Sequence, residues 1–153
     1  MTPRARCLVL PVLAATIVLA SASAALAATT AWDQAKATEL ARHLATSSSE
    51  LYDTFYKQPV PNAASGQARA YHKLKDQVRR IRTEARQLAR NLEKGEGRVE
   101  TQGNFDFLMQ VVRAAEDNAR KVFSTAPVRE KADVARGVLA QLAPYYEAPD
   151  ETP

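Results

Sequence analysis

Residues 71–92 read YHKLKDQVRRIRTEARQLARNL. Tyr71, Leu74, Val78, Ile81, Ala85, Leu88 and Leu92 are spaced alternately by three and four. That spacing is an unbroken a/d seam over three heptads, the pattern of a helix packed along one stripe. A half-buried strand would alternate every second residue, and this stretch does not. The remaining positions are largely charged or amide-bearing, so the stripe must be covered by other elements. Lys94-Gly95 closes the segment: a cation suits the last turn, and glycine is free to adopt the left-handed cap. A helix is therefore expected over about residues 65–94.

Three further segments carry the same period. The first is expected over about residues 31–57, with Leu40, Leu44, Leu51 and Phe55 on one face. Thr30-Ala31-Trp32-Asp33 has capping-box spacing at its start. Pro59 and Pro61 stop it, because proline cannot donate to a helix and pushes its predecessor to extended geometry. The third is expected over about residues 101–124, with Phe105, Leu108, Val112, Ala115, Ala119 and Val122 as its seam. Its start is bracketed by Arg98 and Gly103-Asn104. The fourth, over about 127–143, opens on Pro127 and carries Val128, Ala132, Ala135, Leu139, Leu142 and Tyr146. Gly137 weakens it, Pro144 is expected to end it, and 147–153 reads as a frayed acidic tail.

No segment shows useful strand alternation. The expected fold is all-α: an up-down-up-down antiparallel four-helix bundle, since short connections join antiparallel neighbours. That topology gathers Tyr52, Phe55, Tyr56, Tyr71 and Phe123 at one end. Trp32, Phe105, Phe107, Tyr145 and Tyr146 gather at the other. Between them lies a waist of small residues: Ala41, Ser48, Ala85, Ala115 and Ala135. Such a waist either packs closely, as interiors normally do, or encloses a ligand.

The chain has 153 residues, 46% hydrophobic and 25% charged, an ordinary globular composition. Residues 1–27 read as a secretory signal peptide. Arg4 and Arg6 form its basic region, Leu8 to Ala20 its apolar region, and Ala25-Leu26-Ala27 its cleavage site. The apolar run is short for a membrane span, which takes roughly 20 residues. No lipobox precedes Cys7, the only cysteine in the chain. Cleavage after Ala27 leaves residues 28–153 as a single domain without cysteine and without a transmembrane span, periplasmic or secreted. Without a disulfide, that domain relies on its core. It holds 19 Lys and Arg against 17 Asp and Glu.

The chemistry the sequence lacks is informative. Without a thiol, a Gly-x-Ser-x-Gly elbow or a phosphate-binding glycine loop, no catalytic constellation is legible, and a non-enzymatic role is expected. The Cys-x-x-Cys-His and Glu-x-x-His motifs of haem and di-iron proteins are absent. His43 and Met109 are weak candidates for a cofactor, and His72 reads as solvated. Glu39 with His43, and His72 with Asp76, are spaced i,i+4, but two ligands do not define a metal site. No metal and no cofactor are expected.

Charge is the most uneven property. Arg69 to Lys94 holds nine Lys and Arg against Asp76, Glu84 and Glu93. Lys75, Arg79, Arg82, Arg86 and Arg90 form a continuous stripe beside the seam, suited to an anionic envelope component or an acidic protein. Nucleic acid is not expected as a partner of an exported chain. The opposing reading is a solvated face neutralised by Glu39, Glu50 and Asp53 of the first helix or Glu116 and Asp117 of the third. The function expected is that of an exported binding protein. The alternative is a carrier of haem, a metal or another small ligand in the bundle core.

Overall fold

The protein is seen here as a computed structural model that describes residues 30–60 and 67–147. Residues 1–29, on which the expected signal peptide falls, 61–66, and 148–153, on which the expected acidic tail falls, lie outside the described residues. Among those described there are four helices and no strand: α1 (Gln34–Lys57), α2 (Ala68–Glu93), α3 (Arg98–Ala119) and α4 (Ala126–Glu147).

Local chemistry sets each boundary. Asp33, in extended backbone, caps α1 by accepting from the Lys36 N–H at 3.0 Å. It is thus the cap itself, where the capping-box spacing had placed Thr30 in that role. Gln58 leaves α1 in extended geometry, as a residue before proline must. At the end of α2, Gly95 takes φ +89° and its N–H donates to the Leu92 carbonyl. α3 begins at Arg98, the earlier limit of the expected start and three residues before 101. There the Glu100 carboxylate accepts from the Gly97 N–H at 3.0 Å, and Thr101 Oγ1 donates to the Gly97 carbonyl at 2.7 Å.

The α2 seam is buried throughout, from Tyr71 to Leu92. It packs on Leu40, Leu44, Leu51 and Phe55 of α1, all buried. Phe55 and Tyr71 stack with centroids 5.3 Å apart at one end. At the other, Gln34 Nε2 donates to the carbonyls of Leu92 and Glu96. α3 meets α2 through Asn91 with Asn104 and Gln77 with Asn118. α4 meets α1 through Lys131 with Glu50, and Tyr146 stands edge-on to Trp32 just before α1.

Pro144 does not end α4, which runs on to Glu147. Proline there has no N–H to offer the Ala140 carbonyl, so that helical hydrogen bond is missing. Tyr146 anchors that turn regardless. Its ring stacks on Phe105 at 4.1 Å, and its hydroxyl shares a 2.9 Å hydrogen bond with Thr101. The aromatic ends are smaller than expected, because Phe107 and Phe123 both point to solvent.

The four helices do not close evenly. α1 packs on α2 and α4, and α2 packs on α3, but α3 and α4 scarcely meet. The seam of α3 is rotated accordingly. Val111 is buried against α2, whereas Val112 is only half-buried and Ala119 is exposed. No helix among the described residues is long and apolar enough to cross a membrane.

Candidate functional site: a cleft between α3 and α4

The unclosed side of the bundle is a cleft of about 650 Å³ that reaches the core. Its floor is the packed seam itself, seen from the open side: Leu44, Leu51 and Phe55 of α1, and Leu74, Val78 and Ile81 of α2. Leu108 and Val112 form the α3 wall, Ala132 and Leu139 the α4 wall. The α3–α4 connection, through Val122, Phe123 and Ser124, bounds one end. A volume of this size falls in the range of small-molecule sites, roughly 300–1,000 Å³. Engineered apolar cavities of about 150 Å³ already bind benzene.

Polar groups stand only at the rim. Arg136 of α4 reaches Glu116 of α3 with a 3.0 Å hydrogen-bonded ion pair and also bonds Asp133 on its own helix, at 2.5 Å. The bond to Glu116, with Asp133 assisting, strengthens the hold of Arg136 on its proton. Nearer the connection, Arg129 Nη1 donates to the Ser124 carbonyl at 2.7 Å. Arg120 stands 3.9 Å from Asp117, with both side chains mostly in water. Phe123, 73% exposed, forms the apolar lip beside them.

Of the small-residue waist, Ala115 and Ala135 line the cleft, whereas Ala41, Ser48 and Ala85 are fully buried and do not. The waist is thus packed on the α1–α2 side and open on the α3–α4 side. The sequence carried one trace of this. α3 offers adjacent valines, Val111 and Val112, as rivals for a single seam position. A helix covered on both flanks uses two neighbouring apolar positions; here one is covered and the other borders the gap.

The basic stripe lies along the edge of α2 that faces α1. Lys75 Nζ sits 4.6 Å above the Tyr56 ring, and the Arg82 guanidinium 3.6 Å above Tyr52. Arg86 Nε donates to Ser49 Oγ, Arg90 Nη2 to Gln87 Oε1, and Arg79 is exposed. Among the described residues none of these five cations forms an ion pair. Of the acids that would neutralise them, Glu39 pairs with Lys36, Glu50 with Lys131, Glu116 with Arg136 and Asp117 with Arg120, whereas Asp53 has no ion pair among the described residues.

His43 is exposed and Met109 is half-buried against the core, and neither borders the cleft. His72 is exposed beside Tyr71. The described residues contain no cluster of three or more His, Cys, Asp or Glu suited to a metal. Fold and cleft together define a helical protein with an open apolar core. Compared with known families, with curated proteins and with solved structures, the chain has no match.

Proposed function

We propose that the chain is an exported, non-enzymatic binding protein, an up-down-up-down antiparallel bundle whose α3–α4 cleft takes up an apolar ligand. The observation that carries the reading is the cleft itself. Six large apolar side chains of α1 and α2, each no more than 8% exposed, line the floor of a cleft between α3 and α4. Filling such a floor recovers dispersion contacts and removes apolar surface from water at about 25 cal/mol per Å². Export is argued from the pattern of residues 1–27. The contacts between the start of each helix and the end of its neighbour support the up-down-up-down course.

The test is a titration with the neutral apolar fluorophore N-phenyl-1-naphthylamine. The protein should brighten it and shift its emission to the blue. Ala132→Phe, which places a ring in the cleft from the half-buried wall of α4, should abolish that gain while circular dichroism stays the same. Equal dye binding by the two proteins would overturn the reading.

A second reading is favoured by the five cations of α2 that have no acidic partner. It makes the stripe of Lys75, Arg79, Arg82, Arg86 and Arg90 a contact for an anionic envelope component or an acidic protein. Each cation near an anionic membrane contributes about 1 kcal/mol, so Arg79→Glu/Arg86→Glu should weaken co-sedimentation with anionic vesicles more than about tenfold. Raising salt to about 1 M, where the Debye length is about 3 Å, should do the same to the wild type. Absence of wild-type binding at low salt would leave the acidic-protein version, to be tested by an envelope pull-down with the same variant.

A further inference from the structure

The rim of the cleft sorts its charges, and the sorting indicates what would occupy it. Glu116, Asp133 and Arg136 are paired with one another midway along the mouth, two acids to one cation. Arg120 and Arg129 stand apart at the end near the connection. Arg129 has a neutral carbonyl as its hydrogen-bond acceptor, and Arg120 has only a distant, solvent-exposed aspartate. Below them the floor offers no polar side chain to orient a polar ligand. The cleft is also elongated. On α4 it extends from Val128 to Leu139, eleven helical steps, about 17 Å along a helix. Phe123 continues the apolar path to the lip.

We propose that the ligand is a single-chain amphiphile with an anionic head, its alkyl chain along the floor and its carboxylate or phosphate between Arg120 and Arg129. The proposal rests on the reading of the cleft as an apolar binding site and adds the class of its ligand. A guanidinium presents paired N–H donors that match such heads, and the bonds are charge-assisted. A cationic head would meet two like charges. A neutral head would forgo the attraction.

The experiment displaces N-phenyl-1-naphthylamine from the protein with dodecanoate or with dodecanol, both below their aggregation concentrations. Dodecanoate should compete at a concentration roughly tenfold lower, the effect of one hydrogen bond to a charged group. In Arg120→Gln/Arg129→Gln the two should compete equally, each referred to that variant's own dye affinity, with helicity unchanged. Equal competition against the wild type would overturn the anionic head and leave the apolar cleft standing. A preference for dodecanoate that survives in the double variant would overturn the assignment to Arg120 and Arg129. If the protein binds no dye, the cleft reading itself falls, and this proposal with it.

Discussion

Arg82 shows how much a side chain's surroundings decide. In sequence it is one of five equivalent members of a basic stripe. In the fold its guanidinium lies on Tyr52, and its Nε is buried without a hydrogen-bond partner. Arg79, in the same stripe, is exposed. Arg82→Ala should therefore cost about 1 kcal/mol, the worth of a partly shielded cation–π contact and its packing. Arg79→Ala should stay within about 0.5 kcal/mol. Urea melts of the two variants against the wild type measure the difference. Tyr146 gives a second prediction. Burial raises the pKa of its phenol above the usual 10.0, partly offset by the Thr101 hydrogen bond. The folded state thus favours the neutral phenol. Its contribution is complete below the unfolded value near 10 and is lost as pH rises through the folded value. Melting temperature should fall on the alkaline side of pH 10, and Tyr146→Phe should fall less steeply.

At the scale of the element, periodicity was an accurate guide where a helix is covered on both flanks. Every position of the α2 seam is buried, because α1 and α3 both pack against it. It was a poorer guide for α3, where Val112 and Ala119 were counted as core and border a gap instead. A sequence records that a position is apolar, not whether a neighbour arrives to cover it. Pro144 misled for the opposite reason: the local rule against proline was outweighed by the anchoring of Tyr146 two residues on. The same distinction separates two substitutions in one seam. Leu88 is fully buried and away from the cleft, whereas Ile81 is 7% exposed and borders it. Leu88→Asp should unfold the protein, since an unpaired carboxylate there costs several kcal/mol against a total stability of about 5–15. Ile81→Asp can hydrate its charge through the opening. It should lower the melting temperature yet leave a cooperative transition by circular dichroism.

At the scale of the whole molecule, the helical class was legible and the candidate site only in part, through Ala115 and Ala135 of the waist and the adjacent Val111 and Val112. The cleft is made by the relative placement of two helices, which these residues hint at and do not fix. The basic stripe could be read from the sequence because charge is written residue by residue. The cation–π contacts that fix Lys75 and Arg82 could not, since they depend on which edge of α2 faces α1.

The thin α3–α4 contact also has a dynamic consequence. Along most of its length α4 is held by α1 alone, as α3 is by α2, whereas α1 and α2 each have two neighbours. Proteins open in cooperative units, and the unit with fewest buried contacts opens at the lowest free energy. α4 should therefore detach and re-dock while the α1–α2 pair stays together. In deuterium-exchange mass spectrometry its amides should exchange before those of α1 and α2, with Tyr146 slowing only its last turn. Equal protection across the four helices would show instead that the molecule opens only as a whole. Should α4 lead, the cleft has a hinged wall: a bulky ligand can enter by sub-global opening, and its residence would be read directly as slower exchange in α4.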